Sequence, residues 1–196
     1  MAADSVSTTS SASRGGMPFD DLCRGTERGY SFNVANLSNQ TFGQRTTSLI
    51  NQVESTIRDL ELQSDRQIGQ FCIGKTYAPA LAHHTFNPND PNTWGKRGLS
   101  ERWRHTYKGQ EYDGLVALGA VNRNMLNDTS YGPNGSGCNT AVWNQQSYAL
   151  ALESSLISHY AFNTADPRLA NNSLHPGLLQ GRNSAGYVVY MAFKYE

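Results

Sequence analysis

Apolar residues recur at helical spacing between about Thr41 and Leu62. Phe42, Leu49, Ile50, Val53, Ile57 and Leu60 share one side, with Arg, Glu and Gln on the other. This predicts an amphipathic helix, whose apolar side serves internal packing or a partner. A second helix is predicted from near Thr140 to Tyr160, with Ala149, Leu152, Leu156 and Tyr160 aligned and Glu153 at the edge of their stripe. Other apolar stretches are continuous. Phe71, Cys72 and Ile73 read as a buried strand that ends at Gly74-Lys75-Thr76, a turn presenting a cation. Residues 114–121 read as a central strand buried on both faces, and residues 186–195, β-branched and aromatic, as a further strand. Tyr30 to Val34 is a short strand or an ordered arm. Residues 98–107 predict a short helix with Ser100 as N-cap, Leu99 just outside it, and Arg102, Trp103 and Thr106 following at helical spacing. Strands and helices thus alternate, as in an α/β fold with a small mixed or antiparallel sheet flanked by helices.

At 196 residues the chain is long enough for one domain with extensions. Residues 1–16, rich in Ser, Thr and Ala, read as a disordered tail, 17–68 as an extension containing the amphipathic helix, and 69–196 as the main domain with its C-terminal strand. Charged residues make up only 16% and the net charge is zero, so any nucleic-acid contact should be a local patch. That patch is visible: Lys96, Arg97, Arg102, Arg104 and Lys108 form the densest basic segment, suited to phosphate. Cys23, Cys72 and Cys138 have neither metal-ligand spacing nor a paired framework, which points to a reducing compartment, nuclear or cytoplasmic. No apolar run reaches membrane length and no signal-peptide core is visible, so no membrane partner is expected. The Pro- and Asn-rich stretch 78–97 predicts a long loop, and its His83-His84 pair lacks further metal ligands nearby.

Gly69, Gly74, Lys75 and Thr76 also fit the phosphate-binding pattern G-x-x-x-x-G-K-[ST]. A phosphate loop, however, follows its strand and opens a long helix. Here the β-prone residues lie between the glycines, and Tyr77-Ala-Pro79 opposes a helix. Nucleotide binding is therefore the alternative reading.

The order of segments resembles the GIY-YIG nuclease family. Residues 72–75 (Cys-Ile-Gly-Lys) resemble its YIG strand, and Leu99-Ser-Glu-Arg102 the helix with a catalytic arginine. Residues 113–118 resemble the third strand, and residues 151–157 the helix with a metal-binding glutamate, here Glu153. Residues 166–171, ending in Asn171, resemble the closing segment. The resemblance spans roughly residues 69–172 and implies a DNA endonuclease that uses magnesium or manganese. It gives Arg102 a phosphate oxygen to bind, Glu153 the metal, and Lys75 a supporting role. Without the resemblance, Glu153 is equally a helix-edge glutamate, and the alternative for Arg102 is a surface helix arginine.

The sequence departs from the pattern in two places. No GIY tripeptide precedes Gly69, and Cys72 stands where YIG has its tyrosine. The general base would then come from Tyr77, His105 or Tyr107. Residues 186–190 (Gly-Tyr-Val-Val-Tyr) read like the absent strand. They predict either that the C-terminal strand pairs beside Phe71–Ile73 and offers Tyr187 or Tyr190 to the site, or that it is a plain edge strand. An inactive DNA-binding derivative and a structural or partner-binding module are the remaining alternatives.

Overall fold

A computed structural model describes residues 29–127, 145–171 and 184–196. The expected tail, Cys23, Cys138 and the expected helix start at Thr140 lie outside these residues. Four strands form one mixed sheet: β1 (Tyr30–Phe32), β2 (Ile68–Ala78), β3 (Gly114–Asn122) and β4 (Gly186–Tyr195), in the order β1-β3-β4-β2. β1 runs parallel to β3, whereas β4 is antiparallel to both neighbours. Among the described residues three α-helices accompany the sheet: α1 (Phe42–Ser64), α2 (Arg97–Arg102) and α3 (Gln145–Ser158).

α1 begins where Thr41 closes a capping box. Its hydroxyl accepts from the Gln44 N–H at 3.3 Å, and the Gln44 side chain accepts from the Thr41 N–H at 2.9 Å. The helix stops at Asp65, which is left-handed (φ 53°), a conformation that Asp tolerates better than most residues. Leu49, Val53, Ile57 and Leu60 are buried, so this face packs within the molecule. β1 and α1 share the sheet and core of residues 69–196, so the stretch assigned to an extension is, from Tyr30 onward, built into the same body.

Alternation along the strands divides the interior in two. Tyr187, Val189, Met191 and Phe193 of β4 join Phe71 and Ile73 of β2 under α1 and α3. Val188, Tyr190 and Ala192 point the other way, towards Trp94, Leu99, Tyr107 and Tyr112. A bulge between Ala117 and Gly119 breaks this alternation in β3. Leu118 therefore faces the α1 side, while Ala120 joins Ala117 on the opposite side.

Three expectations are corrected. β2 does not end at Gly74-Lys75-Thr76 but runs through them to Ala78, with Gly74 opposite Tyr190 and Lys75 opposite Val189. The residues matching a phosphate loop are thus an extended strand, and no loop of amides exists there for a phosphate. β4 is not an edge strand. It lies between β3 and β2, buried from Gly186 to Phe193, and pairs Phe71 with Phe193 and Gly74 with Tyr190. Ser100 is not an N-cap: α2 starts at Arg97, and the Ser100 N–H donates to Lys96 O at 3.0 Å. Packing overrides the cap signal, because Gly98 and Leu99 are buried against the sheet.

Candidate active site

The outer edge of β2 organises the site. At Phe71 it is met by residues 168–170, through Phe71 N–H to Arg168 O and Ala170 N–H to Phe71 O, both 2.8 Å. At Ile73 the Asn171 side chain accepts from the N–H and donates to the carbonyl, again 2.8 Å each. One amide side chain thus completes the ladder where no strand follows. At Lys75 the main-chain N–H favours the ionised form of Glu153 on α3. At Tyr77 the carbonyl touches Gly98 of α2, where any Cβ would collide with it. Successive odd-numbered residues of one strand therefore set the closing segment, α3 and α2 in position.

Past Tyr77 these elements leave a cleft of about 260 Å³. Lys75, Thr76 and Tyr77 of β2 line it, with Glu101 and Arg102 of α2, His105 and Thr106 of the following turn, Gln146 of α3 and Tyr187 of β4. That turn, Trp103–Tyr107, is a π-type turn. Its extra residue buries Tyr107 inward while Arg104 and His105 remain exposed.

Glu153 is 6% exposed, and its Oε2 has no hydrogen-bond partner. Burial pushes its carboxyl pKa up to about 7, despite the opposing charges of Lys75 and Arg102 and the Lys75 N–H. The same burial lowers the pKa of the Lys75 ammonium, against the pull of Glu153 and with help from Arg102. A buried carboxylate oxygen without a partner is costly. Such an oxygen has the chemistry of a hard-cation ligand. Among the described residues no group of three or more His, Cys, Asp or Glu is gathered, so Glu153 would act alone.

The predicted residues divide clearly. Lys75, Tyr77, Arg102 and His105 share the cleft, and Glu153 lies within electrostatic reach of Lys75 and Arg102. Arg104 and Lys108 are exposed on the turn after α2. Lys96 instead lies 5.1 Å above the Phe32 ring, and Arg97 is held by Glu101 at 2.8 Å. Tyr187 reaches the cleft, whereas Tyr190 is on the opposite face with its hydroxyl 3.2 Å from that of Tyr107. Burial raises the phenol pKa of Tyr107 to about 12 and that of Tyr190 well above the ordinary value, so both stay protonated at neutral pH. Cys72 also faces away from the cleft, with its sulfur 3.0 Å from the Tyr112 hydroxyl.

Sequence reasoning missed Glu101 and Gln146. Glu101 had a signal, since it lies four residues after Arg97 and next to Arg102. Gln146, buried at the start of α3, had none.

No protein-family model, curated protein or solved structure matches the chain. No helix of the described residues is long and apolar enough to cross a membrane.

Proposed function

We propose that the protein is a divergent GIY-YIG endonuclease that hydrolyses DNA phosphodiester bonds with the help of one magnesium or manganese ion. One observation carries the reading. Lys75 and Arg102 come from separate elements, line one cleft and lie within electrostatic reach of Glu153 on a third, whose buried Oε2 has no hydrogen-bond partner. Each residue has a role in phosphoryl chemistry. Arg102 binds a non-bridging oxygen through its planar guanidinium, which Lys cannot imitate. Lys75 supports the same phosphate from the strand. Glu153 would hold the metal, which when bound stabilises charge on the phosphate and the departing oxygen.

Tyr77 is the favoured base. It lines the cleft on the same strand face as Lys75, whereas Cys72 is turned away to Tyr112. β4 also supports the reading: it runs beside Cys72–Gly74, where the family pattern wants a strand that the upstream sequence lacks. Arg104 and Lys108, both exposed after α2, would hold flanking phosphates. The second reading is DNA binding without cleavage, favoured by the displacement of Cys72 from the cleft.

The test is incubation of the purified protein with supercoiled plasmid and magnesium or manganese, beside Arg102→Ala. Nicking by the wild type, lost in the variant, is expected. Binding that weakens steeply with salt but leaves DNA intact would establish the second reading. Neither binding nor cleavage would leave a structural or partner-binding module.

A further inference from the structure

Tyr77 is not alone in the cleft. Its hydroxyl donates to Glu101 Oε2 at 2.8 Å. The other carboxylate oxygen, Oε1, is held by Arg97 Nε, also at 2.8 Å. Both oxygens of one carboxylate are thus fixed, one by a cation on the same helix and one by a phenol on the neighbouring strand. The contact depends on close approach. Gly98 lies directly against the Tyr77 carbonyl, so α2 docks on β2 at a distance that only glycine permits, and Glu101 is brought to the hydroxyl one turn further on. The charged and titratable groups around Glu101 are Arg97 and Arg102 on its own helix, His105 on the turn, Lys75 and Tyr77 on β2 and Tyr187 on β4.

A phenol that donates its proton to a carboxylate has its hydrogen turned away from everything else. Its oxygen keeps lone pairs with which to accept a proton, and Tyr77 lines the cleft. A phenol is a poor base at neutral pH unless its own proton has somewhere to go. Glu101 supplies that acceptor.

We propose that Glu101 is a positioning residue that makes Tyr77 a general base, with Arg97 fixing the carboxylate. The inference rests on the nuclease reading and deepens it. In the step, the water oxygen forms a new bond to phosphorus as the bond to the 3′-oxygen breaks. The water proton passes to Tyr77 Oη, the Tyr77 proton passes to Glu101 Oε2, and the departing 3′-oxygen takes a proton from solvent. Glu101 then returns its proton to water.

The test compares plasmid nicking by the wild type, Glu101→Gln, Tyr77→Phe, the double variant and Arg97→Ala across a range of pH. Gln keeps an acceptor for the hydroxyl but is far too weak a base to take its proton. Glu101→Gln should therefore lower the turnover rate roughly tenfold to a hundredfold, with little change in DNA affinity. The rising limb of its pH–rate profile should move up by about one pH unit or more, because the phenol must now lose its proton to solvent. The double variant should be no slower than Tyr77→Phe, and Arg97→Ala should lose less than Glu101→Gln. An unmoved pH profile in Glu101→Gln, or losses that multiply in the double variant, would overturn the proposal. If the wild type itself does not cut, the nuclease reading has failed; if it cuts and Glu101→Gln cuts equally well, only this inference has.

Discussion

Replacing Glu153 by Gln should stabilise the metal-free protein at alkaline pH while abolishing cleavage. Desolvation pushes the carboxyl up to about 7 in the folded chain, against an ordinary value of 4.5. A carboxyl raised in this way binds its proton more tightly in the native state. Its contribution is therefore most favourable below about pH 4.5 and is lost as pH rises through about 7. A gap of about 2.5 pH units corresponds to about 3 kcal/mol at pH 8. Screening takes little from this figure, because the residue is 6% exposed. Loss of its anionic neighbour makes the buried Lys75 ammonium less comfortable, so a net gain of about 1–3 kcal/mol is expected for Glu153→Gln. The assay is urea unfolding of both proteins in a chelator, at steps from pH 5 to pH 8.5. The two curves should lie closest at pH 5, where the unfolded carboxyl is already largely ionised, and separate further as pH rises. Adding magnesium at pH 8 should raise the midpoint of the wild type only, since binding to the native state stabilises it. Parallel stability profiles across the whole range would refute the argument that Glu153 is a buried, unsatisfied carboxylate.

Four further outcomes are expected. Arg102→Lys keeps the charge but not the forked geometry, and should lose about 10²–10³ in cleavage rate, measured by single-turnover nicking; activity equal to the wild type would make the contact a diffuse one. Tyr77→Phe should be far more damaging than Cys72→Ala; should it cut normally while His105→Ala is dead, the base is the histidine. Gly98→Ala forces a methyl group into the Tyr77 carbonyl and should cost about 1–3 kcal/mol, with a loss of activity that Ser100→Ala does not share. Asn171→Ala leaves both main-chain groups of Ile73 unpaired and should cost about 1–3 kcal/mol in denaturant unfolding.

Most of the fold was legible because burial leaves a periodic mark. The stripe of α1, the unbroken apolar run of β3 and the alternating β-branched and aromatic residues of β4 each report their surroundings directly. Gly74-Lys75-Thr76 was misread because glycine beside a polar pair signals a turn. Here Gly74 instead makes room for the Tyr190 ring, and Lys75 is buried because Glu153 and the cleft lie beside it. Ser100 carried a local cap signal that the docking of Gly98 overrode. The resemblance named Lys75, Arg102 and Glu153, but their convergence depends on contacts between elements far apart in the chain. Glu101 and Gln146 went unseen for the same reason: a polar residue at a helix surface looks alike in sequence whether it faces water or a neighbouring strand.

The position of β4 has a consequence for how the protein is made. β2 and β3 never pair with each other; each waits for residues 186–195 to come between them. During synthesis on the ribosome β2 has only the bridge between Phe71 and Leu169, and β3 only the three residues of β1, until β4 has emerged. Such pairing over long separations is slow, and the unpaired edges are apolar templates for other chains. In that interval the apolar residues of β2 and β3 are the part of the chain most open to contact with other chains. The same dependence keeps the cleft from maturing early, because Tyr187 and the partner strand of Lys75 reach it last.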